Sequence, residues 1–235
     1  MSRLRSRSAR SILSVTLAPA LVLGLVGLSV PAGAAAAEPA ALPDLLVTEI
    51  LGDNVGYDDY EFFEVHNSSD RTIDLDAEGV GFSYIFGDSD DRGSDVRLTV
   101  PAGTTIDAGE TTVFWVSYST TTVDSFARSV DDFRAHFAAT QPDAAYDVVR
   151  VEGQAGIANG GNRGIRIAST DAEISRSFVP SGGFATDMGT TFRAPASGTS
   201  AAVLGLMDEF IRYGRHGASS KIGSEASGPS CSLSA

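Results

Sequence analysis

The sequence has few cysteines and few basic residues, and each shortage excludes a class of structure or function. Cys231 is the only cysteine among 235 residues, so no intramolecular disulfide can form and the fold must be held by its hydrophobic core. The 17 lysine and arginine residues are outnumbered by 30 acidic ones, which gives a net charge of −13. Because nucleic-acid binding relies on cationic side chains that neutralise phosphates, the composition argues against direct nucleic-acid binding.

Only one long apolar run is present. It covers residues 12–30, follows four arginines and precedes a series of alanines. This order is the pattern of a secretory signal peptide, so we predict a signal peptide over residues 1–37 with cleavage before Glu38. Its removal takes away four basic residues and no acidic one, and the mature chain would carry a net charge of −17.

An uncleaved membrane anchor is the alternative for this segment, because about 20 apolar residues can span a bilayer as a helix. Pro19 and Gly24 interrupt the run, and the alanines after it favour cleavage. We therefore expect a mature protein without a membrane span, secreted outside the cell or associated with the cell envelope.

The mature chain begins with an Ala- and Pro-rich linker, residues 38–43, and then shows the alternating pattern of β-strands. Residues 45–51 and 60–67 are rich in β-branched and aromatic side chains and are separated by an acidic turn. Residues 113–116 are apolar at consecutive positions, which predicts a central buried strand with Trp115 as core anchor. Roughly seven to nine short strands are expected, the number typical of an immunoglobulin-like sandwich.

One helix is predicted inside this region, in an insertion at residues 125–139. Ser129 and Asp132 have the spacing of a capping box. Phe133 and Phe137 fall on one helical face, so we expect the helix to lie over an open end of the sheet.

The composition changes after residue 182. Residues 183–235 are rich in Ser, Gly and Ala and are expected to be a tail outside the folded domain, which spans residues 44–182. Apolar residues at helical spacing allow a marginal amphipathic helix over residues 201–213, and disorder is expected from residue 214 onward. A truncation or a shifted reading frame that removed a following domain would produce the same ending, which stays a hypothesis.

A series of short motifs runs through residues 45–179. The motifs are Val-Thr-Glu-Ile at 47–50, Glu-Phe-Phe-Glu-Val-His-Asn at 61–67, Leu75, Val-Pro-Ala-Gly-Thr at 100–104, Ile-Asp-Ala-Gly at 106–109, Val-Phe-Trp-Val at 113–116, Gly-Ile-Ala-Asn-Gly-Gly at 156–161, Gly-Ile-Arg-Ile at 164–167 and Asp-Ala-Glu-Ile at 171–174. In this order they resemble the bacterial lamin tail domain, an immunoglobulin-like module also found at the end of nuclear lamins. The resemblance implies an all-β, immunoglobulin-like β-sandwich with one short inserted helix.

The same resemblance implies a non-catalytic role in binding or targeting, with an unknown protein or a cell-envelope component as partner. Similar secreted modules often precede a metallophosphoesterase or nuclease domain. The alternative is therefore an N-terminal accessory part of such an enzyme, whose catalytic domain is missing from this chain. A third interpretation is self-association through the sheet edges. No catalytic, cofactor-binding or metal-binding residue is assigned.

Two fragments echo a two-metal phosphoesterase signature. Glu64-Val65-His66 and Gly87-Asp88 match its first two motifs, but Gly161-Asn162 is followed by Arg163 where the third motif needs a metal ligand. Two metal ions require more ligands than these residues supply. We therefore interpret Glu64 and His66 as strand residues that are hydrogen-bonded at a rim of the sheet.

The acidic segment at residues 88–95 partly resembles a calcium loop. Arg92 occupies one ligand position, and Thr99 at the twelfth position cannot supply a bidentate carboxylate, so an EF-hand is excluded. A looser calcium site remains as an alternative to a simple solvated loop. Its carboxylates would be Asp88, Asp90 and Asp95, together with Asp58 and Asp59.

Other chemical motifs are incomplete. The glycines of residues 153–164 lack the lysine and the spacing of a phosphate-binding loop, and Asn159-Gly160 among them predicts a hairpin turn. The histidines, His66, His136 and His216, fall on a strand, the predicted helix and the tail, and no nucleophile elbow accompanies them.

Overall fold

The alternating segments form strands in the computed structural model, which describes residues 41–138, 146–170 and 172–207. The described chain is an all-β sandwich with one short α-helix, α1, Val130–His136, preceded by a 3₁₀ turn at Ser125–Ala127. The strands are β1 Leu45–Leu51, β2 Phe62–Asn67, β3 Ile73–Asp74, β4 Gly81–Ile85, β5 Val96–Arg97, β6 Thr105–Ile106, β7 Thr111–Val116, β8 Asp147–Val151, β9 Arg163–Ala168, β10 Glu173–Val179, β11 Gly189–Arg193 and β12 Ala202–Met207. They outnumber the predicted strands because several are only two residues long.

Two main sheets build the sandwich. One has six strands in the order β12-β11-β1-β2-β7-β8, and the other has four in the order β10-β9-β4-β5. A small third sheet pairs β3 with β6, and the only parallel pair in the described sheets is β7 with β8. The predicted signal peptide lies outside the described residues, and no helix within those residues has the length and hydrophobicity needed to cross a bilayer.

The core lies between the two main sheets and is rich in aromatic rings. Phe63 of β2 stacks on Phe114 of β7 with centroids 5.4 Å apart, and Phe82 of β4 meets Phe114 edge-on at 4.6 Å. Because side chains alternate along a strand, Phe62 and Trp115 point to the opposite face, where they belong to a second apolar cluster. The predicted burial of both faces of β2 and β7 is confirmed.

Helix α1 begins at the predicted capping box, in which Ser129 Oγ accepts the Asp132 N–H at 3.0 Å and the Asp132 carboxylate accepts the Ser129 N–H at 2.7 Å. Its buried Phe133 packs on Trp115 with centroids 5.0 Å apart and on Phe62 at 5.9 Å. The helix therefore covers the outward face of the six-stranded sheet, and the prediction that it lies over an open end is wrong. The physical reason is that both rings would otherwise be exposed to water.

The segment with Asn159-Gly160 crosses between the sheets. Strand β8 belongs to the six-stranded sheet and β9 to the four-stranded one, so the predicted hairpin is wrong. The two residues after Asn159-Gly160 adopt the left-handed backbone conformation, with φ of 70° at Gly161 and 55° at Asn162. A Cβ on Gly161 would lie 2.3 Å from the carbonyl oxygen of Pro180, so this close approach of two loops requires glycine.

The six-stranded sheet continues beyond residue 182, the predicted start of the tail. Strand β11 pairs with β1, and β12 pairs with β11 at the edge of the sheet. Residues 202–207 are thus a strand and not part of the predicted helix, whereas residues 208–213 lie outside the described residues. The backbone hydrogen bonds that β11 offers outweigh the weak helical preference of so short a segment.

Phe133→Ala tests whether the docked helix stabilises the sheet. Truncation of this fully buried ring should lower the free energy of unfolding by about 3–5 kcal/mol, because it leaves a cavity against Trp115. Phe126→Ala is the matched control, since Phe126 is 48% exposed and the change should cost no more than about 0.5 kcal/mol. Urea unfolding measures both, and equal losses would contradict the docking.

Candidate functional site

Strand β1 is paired with β11 along only part of its length. Within the described residues the register joins Glu49 to Thr191 and Ile50 to Thr190, and it goes no further. Between Val47 and Glu49 the pairing of β1 with β2 shifts by one residue, which is a β-bulge. Because a bulge bends its strand and interrupts regular pairing, the first half of β1 parts from β11.

The first half of β1 contacts β10 instead. The hydroxyl of Ser175 donates to the carbonyl oxygen of Leu45 at 2.7 Å, and the hydroxyl of Ser177 donates to that of Val47 at 3.0 Å. Both serines are buried, so these bonds are shielded from water. The serine hydroxyls of β10 thus hold the half of β1 that does not pair with β11. They fix the distance between β1 and β10.

The parted strands enclose a cavity of about 200 Å³, which we call the β1–β11 groove. Its apolar lining comes from β1, from β11 with the residue after it, and from β12. The apolar lining residues are Leu46, Val47, Phe192, Ala194 and Leu204. Beside it, Val203 and Leu204 of the edge strand β12 are 44% and 53% exposed. An apolar groove thus lies next to an apolar sheet edge.

The polar residues of the groove differ in charge. Burial lowers the pKa of His66, and its Nδ1 lies 3.0 Å from Thr111 Oγ1, so the ring is uncharged at neutral pH. Arg193 is exposed and forms no ion pair with any described residue, whereas Arg128, Arg166 and Arg176 all pair with carboxylates. The groove therefore presents a single cation beside an apolar surface.

A second polar centre lies at the end of the sandwich, around Glu61. This residue is fully buried, and its Oε1 accepts the Ile157 N–H at 2.9 Å while Oε2 lies 3.0 Å from the Tyr118 hydroxyl. Burial raises the pKa of Glu61 to about 9. The motif at residues 61–67 did not predict that Glu61 has a raised pKa, although its position between Tyr60 and Phe62, in a run of aromatic residues, was the available signal.

Carboxylates bind the loops at this end together. Asp53 accepts hydrogen bonds from Asn159 Nδ2 at 3.0 Å and Thr186 Oγ1 at 2.9 Å, and Asp187 accepts the Val55 N–H at 2.8 Å. These contacts join the β1–β2 loop to the loops before β9 and before β11. The acidic residues of this region thus act as structural acceptors.

Asp58 and Asp59 belong to the same end of the molecule. Asp58 accepts the Asn54 N–H at 3.1 Å, and Asp59 pairs with Arg128 at 2.8 Å. Neither contacts the loop at residues 88–95 through a hydrogen bond or ion pair among those that the described chain forms. Within the described residues, Asp58 and Asp59 thus do not join Asp88, Asp90 and Asp95, the carboxylates of the alternative calcium site, in a group that could hold a metal ion.

The loop at residues 88–95 is fastened to the outward face of the four-stranded sheet. Arg176 pairs with Asp88 at 2.7 Å and with Asp90 at 2.9 Å, and Arg166, which lies opposite it on β9, pairs with Asp95. Arg166 also has its Nε 2.7 Å from Glu173 Oε2, without the alignment of a hydrogen bond. The expected solvated loop is confirmed, since residues 88–94 are exposed, and arginines also pair with the carboxylates of Asp88, Asp90 and Asp95.

The fragments of the phosphoesterase signature stay apart. Glu64 accepts the Thr48 hydroxyl at 3.3 Å on β2, whereas Asp88 pairs with Arg176 of the other sheet. Glu64 is 1% exposed in the middle of its strand, so its predicted place at a rim is wrong. Within the described ranges, no three His, Cys, Asp or Glu side chains are grouped so that they could hold a metal ion.

Two of the histidines named in the sequence analysis have no shared site. His136 of α1 stacks on Tyr60 with centroids 4.4 Å apart, whereas His66 lies on β2 at the groove. The third, His216, lies outside the described residues.

Comparison with known proteins found no family model and no curated protein that matches this sequence. The function must therefore follow from the residues themselves.

Calcium is expected to leave the melting temperature unchanged. A cation at residues 88–95 would have to displace Arg166 and Arg176 from the carboxylates that they already neutralise. Thermal melting at increasing calcium, with magnesium as control, measures this, because binding to the native state raises the melting temperature with concentration. A calcium-specific rise would contradict the ion-pair assignment.

Arg166→Met tests the fastening of this loop. The variant leaves the largely buried carboxylate of Asp95 without its cation, while Glu173 keeps only its pair with Arg176 at 2.9 Å among the close ones, and it should destabilise the fold by about 3–5 kcal/mol. Arg71→Met is the control, since the Arg71 side chain is 49% exposed in its pairs with Asp44 and Glu78 and little change is expected. Denaturant unfolding that gives similar small losses for both variants would refute a structural role for Arg166.

Proposed function

We propose that the mature chain is a secreted, non-catalytic binding module of the lamin-tail type, with an immunoglobulin-like sandwich. Its binding surface is the β1–β11 groove together with the edge strand β12. The partner is an extended segment of another protein, secreted or in the cell envelope, that carries a large apolar side chain next to a carboxylate.

The separation of β1 from β11 is the observation that carries this proposal. Regular antiparallel sheets have no such opening, and here a bulge and two serine hydroxyls create and hold it. A cavity of about 200 Å³ has room for one large aliphatic or aromatic side chain. When an extended peptide adds to an exposed sheet edge, main-chain hydrogen bonds provide affinity and pockets for individual side chains provide specificity.

The charge of the groove indicates the chemistry of the partner. Arg193 is available for a charge-assisted hydrogen bond, and guanidinium groups bind carboxylates in a bidentate manner. The rest of the protein carries a large excess of negative charge. Screening restricts such interactions to within about 8 Å at physiological ionic strength, so a carboxylate at the groove is attracted mainly by Arg193.

The arrangement of the other polar groups supports a non-catalytic role. Glu61 is closed off from solvent, Asp88, Asp90 and Asp95 are paired with arginines, and Asp59 is paired with Arg128. These groups stabilise loops and sheets. General acid–base chemistry instead requires a titratable group within hydrogen-bond reach of a substrate.

The lamin-tail part of the proposal is supported by where the motifs fall. Val-Thr-Glu-Ile lies in β1, Phe-Phe-Glu-Val-His-Asn forms β2, Val-Phe-Trp-Val ends β7 and Gly-Ile-Arg-Ile lies in β9. The secretion part is supported by the order of arginines, apolar residues and alanines in residues 1–37.

Ala194→Phe tests the groove. Ala194 lines the cavity, so the larger ring should fill it and exclude the side chain of a ligand. Peptides selected from a displayed random library on the unmodified protein should lose at least about tenfold in affinity, or 1.4 kcal/mol, on this variant. They should also be enriched in a large apolar residue beside Asp or Glu.

Ala196→Phe is the matched control, because Ala196 is exposed and does not line the cavity. It should bind the selected peptides as the unmodified protein does. Arg193→Gln should weaken binding and reduce its dependence on salt, since it removes the only charge of the groove. Equal binding by the Ala194→Phe variant and the unmodified protein would place the ligand elsewhere and sink the proposal.

A further inference from the structure

The carboxyl group of Glu61 joins three segments that are distant in sequence. It lies just before β2, accepts the N–H of Ile157 in the β8–β9 loop and meets the hydroxyl of Tyr118 just after β7. The Tyr118 hydroxyl also lies 3.3 Å from the carbonyl oxygen of Asp58 in the β1–β2 loop. One carboxyl group and one phenol thus join these segments, in addition to the contacts of Asp53 and Asp187 described above.

A count of hydrogen-bond donors shows which protonation state of Glu61 gives every group in this set of hydrogen bonds a partner. Tyr118 has one hydroxyl proton but two acceptors within reach, Glu61 Oε2 and the Asp58 carbonyl. If Glu61 is ionised, the proton can serve only one of them. If Glu61 carries a proton on Oε2, it donates to Tyr118, Tyr118 donates to Asp58, and each group has its partner.

The packing excludes water from the carboxyl group. Gly156, with φ of 83°, brings its backbone so close that a Cβ there would lie 2.7 Å from both Glu61 Oε2 and the Tyr118 oxygen. Glu61 itself is 0% exposed, so bulk water does not reach its carboxyl group. An ionised carboxylate here would therefore lose its hydration without gaining a cation.

The charged groups that face Glu61 also oppose its ionisation. Burial is the main cause of the raised pKa of Glu61. The hydrogen bonds of Ile157 and Tyr118 lower this pKa, but the like charges of Asp58 and Asp53 on the β1–β2 loop raise it further. Asn159 on the β8–β9 loop is neutral, and Tyr84 of β4 binds the N–H of Ala158. Arg128 pairs with Asp59 and Arg163 stacks on Phe86, and neither forms an ion pair with Glu61.

We propose that Glu61 is a proton-dependent latch, which carries a proton in the folded protein and releases the β1–β2 and β8–β9 loops when that proton is lost under alkaline conditions. Proton loss leaves Asp58 or Glu61 without its hydrogen bond to Tyr118 and places a negative charge beside Asp53 and Asp58. The loops that separate are those at the end of the sandwich, next to the start of β2.

The direction of the pH effect follows from the pKa of Glu61. Burial raises it from 4.5 to about 9, so the folded state holds the proton more tightly than the unfolded state does. The stabilisation from this group is complete below about pH 4.5, the unfolded pKa, and is lost as pH rises through about 9.

Glu61→Gln is the decisive variant, because its amide mimics the protonated carboxyl in shape and donor pattern. The melting temperature of the unmodified protein should fall between neutral pH and about pH 10, whereas that of the variant should fall much less.

Hydrogen exchange gives a second measurement of the same variant. Exchange of the Ile157 amide should accelerate above about pH 9 in the unmodified protein relative to the variant. Glu152→Gln, at an exposed glutamate, should keep the pH profile of the unmodified protein.

Carbon-13 NMR of the Glu61 carboxyl in the unmodified protein gives a direct measurement that does not need the variant to fold. The resonance should titrate with a midpoint near about 9. A midpoint below about 6 would show that Glu61 is ionised at neutral pH and would overturn the latch. An unchanged pH profile in a folded Glu61→Gln variant would overturn it as well.

Discussion

The division of β1 between two neighbours is the constraint on which this molecule depends. Strand β1 has a bulge after Val47 and is not paired with β11 along its whole length. Its first half accepts hydrogen bonds from serine hydroxyls of β10, and its second half pairs with the backbone of β11. This arrangement links the two sheets along one side of the sandwich. It also opens the β1–β11 groove, so the same feature provides both cohesion and a surface for a ligand.

Electrostatics has two separate uses in this acidic chain. At the four-stranded sheet, Arg166 and Arg176 pair with Asp95 and Asp88 of one loop, whose carboxylates would otherwise repel one another. Arg166 is buried where it makes this pair. At the end of the sandwich no arginine of the described residues pairs with Glu61, whose pKa is raised by burial to about 9, and in the proposed latch a bound proton takes the place of a cation. Arg193 belongs to neither arrangement, because its exposed side chain forms no ion pair within the described residues.

The sequence predicts what local pattern controls. The alternation of Phe62 and Phe63, the buried Trp115 and the capping box of Ser129 were all foreseeable, because each depends on neighbours within a few residues. The membership of β11 and β12 in the sheet was not, since weak strand signals became strands only by pairing with β1. The groove and the hydrogen bonds of Glu61 could not be predicted from the sequence either, because each is made by residues brought together from distant segments.

Hydrogen exchange on the protein with and without a peptide selected for binding tests the central claim, that the parted strands form the binding surface. The account predicts new protection in residues 45–48 of β1 and in residues 192–194 at the end of β11, with the end of the sandwich around Glu61 unchanged. Protection at residues 52–61 with none at β1 and β11 would contradict it, and would transfer the binding surface to the loops.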